Sequence, residues 1–504
     1  MAESSKEAVA TEEHVAPSPV LGFIAKFTVL RGASRELWLT FLIKFLIYTA
    51  YSVTNKTMVL WLSHDLGFSD QAAGALVGWV WAPAMTVFTL LAGSLTDAIG
   101  LRRTFFLGVA ICTFARSVMI LTRDPTLALL YGLLPLAVGE ALGTPVLLAA
   151  TRVYSTTAQR SIAFSIIYAL MNVGYFVAGY VFDLIRSLDL HLSIGGFQPT
   201  PHEQLFAVSL ALEILLFPTI YFLRRDVRPA SGISLSSSAP PSPSYGGPRD
   251  RSGFLTGVVS SARQSAAATA ELFRKLIGQS GFYRLLVFFL FVGFLKAIFL
   301  QMDYVFPKFG DREMGLHAPV GKLAGINAIL IIVLAPVIGA LTQRLASYRM
   351  VIIGSIICTV GVFVMVLPMD WFVPAADSAL GHALGHGYLQ LTGVVHPYYI
   401  MSAIYLTIFS VGEAFYSPRV YEYAAAIAPP GQEASYGSLA YLPFLVGKFL
   451  IGTSGWVLAT FCPEHGECHA GSLWLIFALA ASVAPIGLIV FRPYIRVHEA
   501  GRQD

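Results

Sequence analysis

Gly93-Ser94-Leu95-Thr96-Asp97-Ala98-Ile99-Gly100-Leu101-Arg102-Arg103 is a short polar break between two long apolar runs, one near 71–95 and the next near 104–122. Gly93 lets two helices approach closely, and Gly100 permits a tight turn. Asp97 sits near a helix end, where it is placed to pair with Arg102 or Arg103 or with a neighbouring helix terminus. Such a cluster holds helices together at one face and releases them when they rock. A generic charged turn is the plainer alternative.

Outward from this break, apolar runs of spanning length recur along the whole chain; about 20 apolar residues cross a bilayer as a helix. They lie near 36–62, 71–95, 104–122, 126–152, 161–186 and 204–223, and then near 283–306, 319–343, 350–368, 397–426, 438–461 and 471–491. The pattern is six, a polar gap, then six, and it predicts an all-α membrane protein with twelve transmembrane helices. The expected organisation is a cytoplasmic N-terminal tail over 1–35, a six-helix bundle over 36–223, a cytoplasmic linker over 224–282, a second six-helix bundle over 283–491 and a cytoplasmic tail over 492–504. Within the linker, Pro229 to Arg251 is rich in Ser, Pro and Gly and reads as disordered, and Gly253 to Ile277 reads as an amphipathic helix.

Composition agrees. Of 504 residues, 56% are hydrophobic and only 12% charged, against roughly 25% charged in soluble domains. So few charges cannot cover a soluble surface of this size, and lipid removes the need. A net charge of +4 gives no case for nucleic-acid binding. The stretch Met1 to Pro19 is polar and acidic and does not read as a signal peptide. With the N-terminus inside, Arg102, Arg103, Arg152, Arg160, Arg224, Arg225, Arg228, Arg344, Arg349 and Arg492 fall on the cytoplasmic side, while the loop near 369–396 has no Lys or Arg. That asymmetry predicts cytoplasmic termini in a plasma or inner membrane. Cys462 and Cys468 flank five residues in an outer loop and are expected to form a disulfide if that side is oxidising; two free thiols are the alternative.

The break quoted first resembles the cytoplasmic loop motif of the major facilitator superfamily. An echo, Gly339-Ala-Leu341-Thr342-Gln343-Arg344, follows the second span of the second half, with Gln343 where Asp97 stands in the first. The resemblance implies two related six-helix halves, with solute bound near the bilayer midplane between them. Several stretches are also similar to the proton-coupled oligopeptide transporter branch. These are Leu62 to Asp70, Phe164-Ser-Ile-Ile-Tyr168 to Asn172 and Gly174, Ile326-Asn327 to Pro336, and Gly412-Glu413 with Ser417-Pro418. One departure is large. The branch carries Glu-x-x-Glu-Arg in its first helix, and Lys44, Ile47 and Tyr48 stand at those positions here. Its fourth-helix lysine is replaced by Thr144, before Pro145, with Glu140 one turn earlier. A reversed pair, Lys44 with Glu140, is the alternative arrangement.

Ionised groups in the bilayer cost about 2.5–3.5 kcal/mol each on insertion scales, so lone intramembrane charges mark candidate sites. Lys44, Tyr48, Ser52 and Asn55 form one polar helical stripe; Glu140 is alone in an apolar helix; Lys296 and Asp303 share a face with Gln301 nearby; Glu413 lies mid-span before Pro418. The candidate substrate- or proton-binding set is therefore Lys44, Tyr48, Glu140, Asn172, Lys296, Gln301, Asp303 and Glu413, with Glu413 leading. A structural pair of Glu413 with Lys296 or Lys448 is its alternative. Arg419, Glu422 and Asp183, near helix ends, read as structural. A zwitterion needs both signs: Lys44 or Lys296 for its carboxylate, Glu413 for its amino group.

The reading is a secondary transporter working by alternating access on small peptides or amino-acid-like solutes, with protons as coupling ion, no cofactor, no metal and no partner chain. The alternatives are a transporter of another organic solute, or a non-transporting sensor on the same fold. No H-E-x-x-H, G-x-S-x-G or Walker A sequence occurs, which weighs against a membrane enzyme. His382 and His386, at i, i+4 spacing in an outer loop, read as solvated rather than as a metal site.

Overall fold

The computed structural model describes residues 28–188, 196–223, 277–342, 345–427 and 442–496, with isolated positions at 193, 267, 271, 274 and 439. The side chains of some further helical residues, Asp97 and Thr144 among them, also lie outside the description. So does nearly all of the expected linker, with its amphipathic helix.

Among the described residues, twelve helices are long and apolar enough to cross a membrane. They are α1 (Arg35–Asp65), α2 (Asp70–Thr89, helical on to Ile99), α3 (Leu101–Leu121), α4 (Pro125–Tyr154), α5 (Ile162–Leu188) and α6 (Pro201–Tyr221). The second six are α7 (Ser280–Tyr304), α8 (Val320–Gly339), α9 (Ser347–Val364), α10 (Pro397–Tyr423), α11 (Leu442–Phe461) and α12 (Ala470–Val490). Each coincides within a few residues with a run read from the sequence.

Their ends have local causes. The Ser34 hydroxyl accepts from the Leu37 amide to start α1. Thr200 and Glu203 cap α6 reciprocally, and Pro201 occupies its first turn. Gly100 has φ +88°, a left-handed geometry open to glycine at little cost, and it separates α2 from α3. Pro145, Pro336, Pro418 and Pro485 stand inside helices, where each removes one backbone hydrogen bond.

Within the first half, α1 packs on α4, α5 and α6, and α3 on α4 and α6; within the second, α9 packs on α10 and α12, and α7 on α11 and α12. The halves meet along α5 with α8, α2 with α11, and α1 with α7. With twelve alternating spans, every odd-to-even connection lies on one face, here called the far face. The beginning of α1 and the end of α12 lie on the other, the terminal face.

Candidate functional site

The seam between the halves carries the charges. Lys296 on α7 extends to Glu413 on α10, with Nζ 3.9 Å from Oε1. Rings surround that ammonium: Phe444 at 4.9 Å, Tyr416 at 5.0 Å and Phe299 at 5.7 Å to the centroids. The other Glu413 oxygen accepts from the Asn327 amide on α8 at 3.1 Å, and Asn327 also donates to Ser410. Glu413 thus stands beside Lys296 of α7, at a distance looser than the ion pairs of Arg116, Arg123 and Arg186.

The first half faces this cluster with aromatic groups. The Lys44 ammonium lies 3.5 Å from the Tyr48 ring centroid. Tyr48 stacks edge-on against Tyr175, and Tyr175 in turn meets Phe299 across the seam. Asn172 donates back to the Tyr168 carbonyl at 3.0 Å, one turn earlier on α5. Lys448 on α11 reaches into the first half, where Nζ lies 3.3 Å from the Tyr51 hydroxyl and 4.0 Å from the Trp81 ring centroid.

Glu140 does not contact Lys44. It pairs with Arg116 of α3 at 3.0 Å, and the same guanidinium binds Glu213 of α6 at 3.0 Å and donates to the Thr54 hydroxyl at 3.1 Å. Lys296 and Asp303, although on one face of α7, have separate partners: Asp303 pairs with Lys56 of α1. Gln301 donates to Ser454 of α11 at 2.8 Å.

Toward the far face the halves are latched. Tyr304 donates to the Asn55 side-chain oxygen at 2.6 Å. Lys308 holds Ser63 and Asp70, and Arg312 joins Asp70 at 2.8 Å. Burial pushes the Lys308 ammonium below its ordinary range, and Asp70 offsets part of that shift. Arg186 grips both oxygens of Asp311 at 2.5 Å. Asp183 of α5 accepts from the Gly321 amide at 3.0 Å and the Lys322 amide at 2.6 Å, capping the start of α8 from the opposite half. Beside it Gly179 and Gly321 touch backbone to backbone; a Cβ on either would run into the other's carbonyl. These ion pairs between the halves all lie between Lys56–Asp303 and the far face.

At the terminal face, Arg102 lies over the Tyr221 ring at 4.9 Å and the Phe106 ring at 5.6 Å, and Arg103 is exposed. The expected partner, Asp97, has its side chain outside the described residues. A disulfide joins Cys462 to Cys468, next to the Arg312 bond to the Cys462 carbonyl. Arg419 pairs with Glu422 at 2.7 Å and donates to the Thr342 hydroxyl at the end of α8 at 3.0 Å.

Sequence reasoning passed over Arg116, Glu213, Lys56, Arg186, Lys308, Asp311 and Arg312, and it read Asp183 as a structural group rather than as a contact between the halves. Arg116 and Glu213 were visible as lone charges inside apolar runs, the same signal that marked Glu140.

A membrane bundle of twelve helices, with two halves meeting at a charged seam, is the architecture of a solute transporter. The chain matches the sequence profile of the Major Facilitator Superfamily over residues 40–381. It belongs to that superfamily and is an integral, multi-pass membrane transporter rather than an enzyme. Its fold is similar to a bacterial homologue of the human drug peptide transporters, at 17% identity, TM-score 0.62, covering 92% of this chain and 98% of that one. It is also similar to a POT peptide transporter in complex with sulfate (15% identity, TM-score 0.66, 92% and 95% covered). A third likeness is to a POT family transporter in complex with 5-aminolevulinic acid (15%, TM-score 0.63, 92% and 97%). No curated protein matches the chain by sequence.

Proposed function

We propose that the chain is a secondary transporter that carries small zwitterions, peptides or amino-acid-like solutes, across the bilayer by alternating access, driven by protons. The observation that carries this reading is the Lys296–Glu413 pair. Its 3.9 Å separation at the seam is loose beside contacts of 2.5–3.0 Å elsewhere. A solute's carboxylate is a better partner for Lys296, and its ammonium for Glu413, than the two are for each other. The rings of Tyr48, Tyr175 and Phe299 where the halves meet supply apolar walls for side chains. That similarly folded proteins hold a thioalcohol-conjugated peptide and 5-aminolevulinic acid supports the class.

The far-face latch belongs to one end state, and the opposite state requires its release. Asp97, Arg102 and Arg103 are proposed to act at the terminal face when that side closes. In proteoliposomes, Glu413→Gln is expected to keep its fold and lose binding and uptake of radiolabelled dialanine, and Lys296→Met to do the same. Full uptake by well-folded Glu413→Gln protein would remove Glu413 from the site.

A further inference from the structure

The first half contains a buried charge cluster for which solute binding has no use. Arg116 is fully enclosed, and Glu140 and Glu213 expose only 5% of their side chains. Each carboxylate gives one oxygen to the guanidinium. The second oxygen of each, Oε2, is buried without a hydrogen-bond partner. Two carboxylates around one guanidinium leave a net negative charge in a dry place, and an uncompensated buried charge is costly. One proton, on either free oxygen, removes the excess.

The two acids differ in outlook. Glu213 is enclosed by its own half. Glu140 faces the seam, within electrostatic reach of Lys448 from the opposite half and of the Tyr51 and Tyr304 hydroxyls. Among the described residues, the Cys112 thiol also lies beside the cluster. Lys448 makes no ion pair among the described residues and acts on Glu140 and on Asp303, which Lys56 already holds. A buried ammonium on one half and a carboxyl of alternating charge on the other form a contact that depends on how the halves are packed.

We propose that the Arg116–Glu140–Glu213 cluster is the proton-coupling site of this transporter, with Lys448 as the cation that senses its charge across the seam. This rests on the proton-driven reading above and names its residues. The proton enters from water as H⁺ onto the free oxygen of Glu140. It leaves to water when Lys448 approaches and takes the ionised carboxylate as partner. A carboxylate and an ammonium that meet only after proton loss tie the packing of the halves to the gradient.

The test reads the proton without any solute. Infrared difference spectra of the purified protein between low and high pH are expected to show a buried protonated-carboxyl band that disappears as pH rises. Because the proton is shared, Glu140→Gln and Glu213→Gln should each abolish the band alone, while Glu413→Gln keeps it. Each of these two variants leaves Arg116 with one carboxylate, so folding should survive, as size-exclusion and thermal unfolding would verify. Lys448→Met should retain the band and move its midpoint up by about one pH unit; an unmoved midpoint would remove Lys448 from the proposal. A band that persists in both single variants, or one present at every pH, overturns the proposal. Failure of dialanine uptake with the titration as described would instead count against the solute class and leave the proton site standing.

Discussion

Replacing Asp183 by alanine should open the far face. In the structure its carboxylate accepts from the Gly321 and Lys322 amides across the halves, at 3.0 and 2.6 Å. Hydrogen bonds to a charged group are worth about 1.5–3 kcal/mol net. In the open state both amides and the carboxylate are hydrated, so the two bonds bear almost wholly on the closed state. Taking the lower figure for each gives about 3 kcal/mol, and at 1.4 kcal/mol per factor of ten the closed-to-open ratio should fall about 100-fold. A reporter cysteine at Ala178, buried beside the Gly179–Gly321 contact, reads that ratio. With Cys112 and Cys358 changed to alanine, its reaction with a membrane-impermeant maleimide tracks the open population while closing outpaces labelling. Asp183→Ala should speed labelling by up to two orders of magnitude. Unchanged labelling in a well-folded variant would refute the assignment of Asp183 as a closing contact.

Three further outcomes follow from the same geometry. Gly179→Val places atoms where the Gly321 backbone stands, so uptake should be lost while detergent-solubilised protein stays folded; retained uptake would show that the two helices have room to separate. Lys308 carries a lowered pKa, so between that value and the ordinary 10.5 the unfolded chain binds more protons than the folded one. Stability relative to Lys308→Met should therefore rise with pH through that window, and a pH-independent difference in unfolding temperature would contradict it. Removing the Cys462–Cys468 disulfide, which closes a short loop beside Arg312, should cost about 2 kcal/mol, read as a lower unfolding temperature; no change would show the loop held by its other contacts.

The spans were legible because an unbroken apolar run of bilayer length is hard to bury in any solvent but lipid, and the turn at Gly100 because only its backbone adopts φ +88° cheaply. The lone charges were legible too: Lys296 stands near Glu413, and Asp303 pairs with Lys56 across the halves. Their pairing was not legible. Lys296 and Asp303 share a helix face, yet two turns of translation along α7 and the crossing of α1 and α10 give them different partners. Glu140 lies one turn from Thr144, which invited a pairing with Lys44, but α3 and α6 bring Arg116 and Glu213 to it instead. The far-face latch was hidden for a related reason. Asp311, Arg312 and Lys308 sit just past the end of α7, where charges are ordinarily solvated, and only the closure of the two halves buries them.

A proton-driven transporter of zwitterions moves its solute against a gradient at the expense of the proton gradient. Purified protein in liposomes, loaded at neutral pH and diluted into acidic buffer with radiolabelled dialanine, tests it directly. Dialanine should accumulate above its external concentration, and a protonophore should collapse the excess. Slow equilibration that ignores the imposed pH difference, for dialanine and for single amino acids alike, would contradict the account.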